Sequence, residues 1–175
     1  PHVGGQRAAP RLGGGGRNAL GRGGHHAVGR GPLAHFRVKA VRAMMPYIAF
    51  KSAYGCVWKL SQWKVRVALV NLWATWCAPC RKEMPTLADL QKQLGSKDFE
   101  VVAVRVDRKG IEASSAYLKD TGADALGLDV DDATKSLDDL DGWGLPHAGL
   151  LDREGGESGE VWGRDEWKGA DTRAL

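Results

Sequence analysis

The stretch that decides the fold is Val65-Arg66-Val67-Ala68-Leu69-Val70-Asn71-Leu72-Trp73-Ala74-Thr75-Trp76-Cys77-Ala78-Pro79-Cys80. Its first nine residues form a β-branched, nearly continuous apolar run, the pattern of a strand buried on both faces in a parallel or mixed sheet. From Pro79 to Leu94 the apolar residues Met84, Leu87, Leu90 and Leu94 recur at helical spacing. A strand therefore runs into a helix at the two cysteines.

Outward from that junction the pattern repeats. Residues 99–106 read as a strand, 111–120 as a helix, 126–130 as a short strand and 133–140 as a helix, a βαβα order that predicts an α/β sheet with helices on both faces. Two final strands, near 148–152 and 159–162, are joined by Arg153-Glu154-Gly155-Gly156, whose glycines suit a hairpin turn, and are expected to close one sheet edge. Upstream, Tyr54-Gly55-Cys56 marks another hairpin, and residues 36–46 alternate apolar and basic side chains as a short strand or a basic interfacial segment would.

The 175 residues suffice for one domain with length left over. A hydrophobic fraction of 43% and a charged fraction of 26% are those of a soluble globular protein that needs no disulfide scaffold. No apolar run approaches the roughly 18 residues that span a bilayer. The net charge of +4 hides an asymmetry: residues 1–82 hold fourteen Lys and Arg and no acid, while the other 11 basic residues share the remainder with all 21 acids. Residues 1–35 are rich in Gly, Arg and His without apolar periodicity, and lack the continuous apolar segment of a secretory signal. We therefore expect residues 1–46 to be a disordered Gly/Arg-rich tail or an irregular gene-model extension, and residues 47–175 to be the folded domain.

The three cysteines are Cys56, Cys77 and Cys80, and only the last two are spaced for joint chemistry. A pair at the start of a helix places the first sulfur beside the free N–H groups of the first turn, where the helix dipole favours negative charge. The thiolate is the nucleophile, so Cys77 is the attacking residue and Cys80, one turn further in, resolves the mixed disulfide. Pro79 fits a first helical turn, where its missing N–H costs little. The competing readings of a bare Cys-x-x-Cys are half of a zinc site and a pair of inert buried thiols. Zinc needs four ligands, and the other candidates, Cys56 and His147, stand at no recognisable spacing. No metal is expected.

The segment from Val70 through Cys80-Arg81-Lys82-Glu83-Met84-Pro85 resembles the active-site segment of the TlpA-like branch of the thioredoxin superfamily. The likeness continues through residues 99–108, Gly144-Leu145-Pro146, residues 150–155 and Trp167. It implies a thioredoxin-like three-layer fold, with a central mixed sheet and helices on both faces. It also implies a protein thiol–disulfide oxidoreductase without a cofactor, whose partners are protein dithiols or disulfides and an upstream redox donor. Periplasmic or membrane-tethered placement, with room for an anchor in the native protein, follows from the same likeness, as does a role as reductant in cytochrome c maturation or oxidase assembly. In this family Pro146 would be the cis-proline that holds an extended partner segment against the cysteines, with Trp76, Ala78 and Pro79 completing that surface. Ordinary thioredoxins carry a buried aspartate where this chain has Asn71. Glu83, three residues after the second cysteine, is where TlpA-like proteins often place an acid, and burial would raise its pKa toward a range useful for proton transfer with Cys80. The competing reading is a solvated glutamate early in a helix.

Trp73 is expected in the core, Met84 and Pro85 in helix packing and a kink, and Cys56 as a small buried residue. After the proline this chain has His147-Ala148-Gly149 where the family has a threonine and a β-branched strand, so His147 is either near the sulfurs or on the surface. With Trp167 so close to Leu175, the family's last helix is expected to be shortened. Two other classes of function remain. The Arg/Gly tail resembles nucleic-acid-binding segments but lacks interleaved aromatics, so no nucleic acid is expected. A copper chaperone on the same fold would space its cysteines more widely and add a histidine.

Overall fold

In a computed structural model, residues 25–27, 33, 35–44, 49–63, 65–132, 135–136, 144–168 and 172 are described. Nine strands join in one mixed sheet: β1 (His25–Ala27), β2 (Arg37–Met44), β3 (Ala49–Ser52), β4 (Val57–Lys59), β5 (Val67–Trp73), β6 (Phe99–Arg105), β7 (Asp129–Val130), β8 (His147–Leu151) and β9 (Gly156–Trp162). Their spatial order is β1-β2-β9-β8-β5-β6-β7-β3-β4. β5 runs parallel to β6 and antiparallel to β8. Helix α1 (Ala78–Leu94) follows β5, and α2 (Ile111–Asp120) follows β6. This is the expected thioredoxin-like α/β architecture, with α1 and α2 both on one face of the sheet among the described residues. The proposed helix at 133–140 lies outside the described residues except for Lys135 and Ser136, which are helical.

The side-chain alternation of a strand sorts the core into two parts. Leu69 and Trp73 of β5, with Val101 and Ala103 of β6, meet Met84, Leu87 and Leu90 of α1 and Tyr117 and Leu118 of α2. Ala68, Val70, Leu72, Val102 and Val104 point to the opposite face, where Phe50, Leu60 and Leu151 join them. β5 is thus buried on both faces, as its unbroken apolar run requires. Trp73 is in the core, stacked on Tyr117 with ring centroids 4.9 Å apart. Pro85 sits inside α1, which continues to Leu94 and ends where the Gly95 N–H donates to the Gln91 carbonyl at 2.8 Å.

Three expectations are corrected. The folded region begins before residue 47, because Arg37–Met44 pairs antiparallel with β9 and Leu33 and Phe36 are buried in the main core. The alternation of apolar and basic residues in this segment is that of a strand with one face against the protein: Val38 packs on the core while Arg37 is exposed. It follows that β9 closes no edge, lying between β8 and β2. Cys56, third, is exposed rather than buried, since it stands at the tip of the β3–β4 hairpin, next to Gly55 in the left-handed region at φ 83°.

The seating of Phe36 depends on Gly159 of β9. A Cβ at that position would come within 2.4 Å of Phe36 Cζ and 3.0 Å of the Arg37 carbonyl oxygen. Gly159→Ala is therefore expected to force the ring and β2 apart and to lower stability by about 1–3 kcal/mol, as measured by urea denaturation.

Candidate active site

The strand that carries the apolar run ends at Trp73, and the chain turns through Ala74-Thr75-Trp76 into the cysteines. Cys77 is the N-cap of α1: its backbone is extended and its Sγ accepts from the Cys80 backbone N–H at 3.2 Å, so the sulfur lies over the open first turn. Cys77 and Cys80 are joined in a disulfide with Cα atoms 5.3 Å apart. Cys80 is fully buried and Cys77 nearly so, whereas Ala78 and Pro79 are exposed beside them. Trp76 is 70% exposed, an apolar ring presented to solvent next to the disulfide. The peptide bond between Leu145 and Pro146 is cis, and β8 starts immediately after it beside the end of β5, with His147 opposite Leu72.

The turn before Cys77 is fixed from β6. Asp107 Oδ2 accepts from both the backbone N–H and the hydroxyl of Thr75, each at 2.6 Å, and Arg105 Nε lies 3.3 Å from Asp107 Oδ1. Burial opposes ionisation of Asp107, but the two Thr75 hydrogen bonds, the Lys109 N–H and Arg105 outweigh it and hold the carboxyl below its ordinary range. Arg105 is itself buried and bonds Ser114 of α2 at 2.6 Å and Asp132. Sequence reading did not identify this network, because Thr75 and Asp107 stand 32 residues apart and meet only through the parallel pairing of β5 and β6. Asp107→Asn keeps the shape but weakens both Thr75 bonds; hydrogen bonds to charged groups contribute about 1.5–3 kcal/mol. We expect a lower melting temperature and faster reduction of the disulfide by dithiothreitol in that variant.

Glu83 is 1% exposed, on the second turn of α1. The solvated-glutamate reading therefore fails. The Trp167 indole N–H donates to its Oε1, and the Trp167 backbone N–H donates to Thr86 Oγ1 at 3.3 Å, which holds the segment after β9 against α1. Burial pushes the Glu83 carboxyl up to about 7, a rise moderated by hydrogen bonds from Trp167 and the Asp165 backbone and by Asn71. Asn71, fully buried on β5, faces the same side of the sheet as α1. Trp167 is the second contributor that the sequence did not identify as part of the site, being 84 residues from Glu83.

His147 is not at the surface. It is 1% exposed on the face of the sheet opposite α1, with its ring edge-on to Trp162 at 4.0 Å between centroids. Strand alternation explains this, because the residue after Pro146 must point to the other side from Ala148, which packs in the α1 core.

The redoxin family pattern matches residues 40–155. The thiol-disulfide oxidoreductase ResA of Bacillus subtilis is 33% identical over 111 residues, which cover 63% of this chain and 60% of ResA. The thioredoxin-like protein YneN of the same organism is 44% identical over 59 residues, 34% of each chain. The matches thus span less than two thirds of the length of these relatives. Among solved structures, a protein assigned as thiol:disulfide interchange protein DsbE from Chlorobium tepidum is 29% identical with a TM-score of 0.64, covering 77% of this chain and 91% of that one. The thioredoxin domain of a Bacteroides vulgatus thiol-disulfide oxidoreductase is 25% identical with a TM-score of 0.62, covering 69% and 87%. With its Cys-x-x-Cys pair capping α1 and a cis-proline at the start of β8, this chain belongs to the redoxin family, in the TlpA-like branch of the thioredoxin superfamily.

Proposed function

We propose that this protein is a thiol–disulfide oxidoreductase that exchanges disulfides with partner proteins through Cys77 and Cys80. The observation that carries the reading is the position of the pair: a sulfur at a helix N-cap, on the exposed side of a disulfide whose second sulfur is fully buried.

In the reducing direction the Cys77 thiolate, favoured by the N-terminal dipole and open N–H groups of α1, attacks one sulfur of a partner disulfide. A new S–S bond forms between Cys77 and the partner, and the partner's other sulfur leaves as a thiolate. Cys80 then loses its proton and attacks Cys77, which restores the internal disulfide and releases the second partner thiol. Two electrons pass from the pair to the partner. Glu83 takes the Cys80 proton in this scheme, since a carboxyl with a pKa near 7 can both accept and return a proton at neutral pH. Trp76, Ala78 and Pro79 give the partner an exposed surface, and Pro146 holds its extended segment beside the disulfide. The likeness to the thiol-disulfide oxidoreductase ResA and to DsbE supports protein thiol and disulfide partners; an upstream redox donor, placement on the periplasmic side of a membrane and a reductant's role in cytochrome c maturation or oxidase assembly rest on the resemblance to the TlpA-like branch alone. Among the described residues no helix is long and apolar enough to cross a membrane.

The test is insulin reduction with dithiothreitol, together with Cys80→Ser. Wild type should accelerate insulin precipitation. Cys80→Ser should accumulate a mixed disulfide through Cys77, seen as an adduct by mass spectrometry under non-reducing conditions and removed by excess thiol. Adducts formed only through the exposed Cys56 would refute the assignment.

A further inference from the structure

The sequence offers His147 no metal-binding partner, yet the fold provides two. His147 of β8 meets Glu157 and Glu160 of β9, and one ring nitrogen and one carboxylate oxygen from each acid all lie within 4.8 Å of one another. All three residues are buried. The imidazole makes no hydrogen bond in the structure: neither Nδ1 nor Nε2 has a partner, although the ring is 99% buried and directed at the two carboxylates. Buried polar groups are satisfied in nearly all cases, so an aromatic nitrogen pair left bare beside two acids calls for an explanation.

We propose that His147, Glu157 and Glu160 form a binding site for a divalent first-row transition ion such as Zn²⁺. One imidazole and two carboxylates are a borderline-hard donor set suited to such ions, and three protein ligands leave a position for water. Lys39 of β2 now bonds Glu157 and lies 3.1 Å from Glu160 Oε2. Its ammonium stands where cationic charge is wanted and is the ion's competitor. Its side chain is 19% exposed on a flexible stem, so it can withdraw to solvent as the ion enters. A bound ion ties β8 to β9 one residue after Pro146. It works independently of the cysteine chemistry, whose residues lie on the other face of the sheet.

The experiment uses the full chain carrying Cys56→Ser, with the Cys77–Cys80 pair kept as a disulfide so that no thiolate can contribute a ligand. Titration with CoCl₂ should give visible d–d absorption saturating at one equivalent, and quenching of Trp fluorescence through Trp162, which touches the His147 ring. ZnCl₂ should displace the Co²⁺. His147→Ala should weaken binding at least tenfold, and Glu160→Gln, which keeps the side-chain volume, should do so as well. Lys39→Met should tighten it about tenfold. Circular dichroism checks that each variant is folded, and Glu160→Gln carries the test if His147→Ala is not. Absence of one-to-one binding, binding undiminished in the folded histidine or glutamate variant, or binding unchanged or weakened by Lys39→Met would each overturn the site.

Discussion

Cys77→Ser should lose all thiol–disulfide turnover, while Cys56→Ser keeps wild-type turnover. The asymmetry follows from position rather than from reactivity in general. Cys56 is the more exposed sulfur, but it lies in a hairpin with no helix terminus behind it and no second cysteine to resolve an adduct. Cys77 has both. A serine hydroxyl at residue 77 can still accept from the Cys80 N–H, so the helix start is preserved and the protein should fold. What it cannot do is form the mixed disulfide. The check is insulin reduction alongside circular dichroism: a folded Cys77→Ser protein with residual catalysis would place the nucleophile elsewhere.

Glu83→Gln should slow the resolving step by about 10²- to 10⁴-fold, the range general acid–base catalysis supplies. Glutamine still accepts the Trp167 N–H through its amide oxygen, so the packing of the segment after β9 on α1 is retained and the loss isolates proton transfer. In wild type the reaction should show an inflection near pH 7, and in the variant that inflection should vanish. Stability provides a second readout with its own sign. The folded-state pKa of Glu83 lies above its unfolded value, so between about 4.5 and 7 the folded state binds the extra proton and wild-type stability falls as pH rises. Glu83→Gln should remove that fall, so the variant gains on wild type from pH 5 to pH 7.5 in urea melts. A variant with full turnover and an unchanged pH profile would leave Glu83 as a packing residue only.

How much of this was legible in the sequence depends on the range of the interactions. β5, α1, β6 and α2 each announce themselves through local periodicity, and their observed bounds lie within two residues of those expected, α2 matching at both ends. The proposed roles of Cys77 as attacker and Cys80 as resolver were read from the helix that starts between them. Glu83 was placed by resemblance, but its burial depends on Trp167, and nothing within a few turns of Glu83 encodes that contact. The Asp107–Thr75 anchor is hidden for the same reason: a carboxylate at a strand end reads as a surface residue until the neighbouring strand is in register. β2 was offered as a short strand or a basic interfacial segment and left in the tail, because what ties it to the domain is Val38, the neighbouring Phe36 and a glycine more than a hundred residues away. His147 needed the pairing of β8 with β9 before its neighbours existed at all.

The pairing of β2 with β9 also bears on how the protein should be produced. Trimming at residue 47, where the globular pattern begins in the sequence, would strip β1 and β2 from the sheet and leave the N–H and C=O groups that β9 turns toward β2 without partners. An open strand border of that kind recruits other chains, so the shortened protein would exchange segments or aggregate, and low recovery would then be misread as a defect of the redox domain. A truncation that starts upstream of Leu33 keeps the border closed.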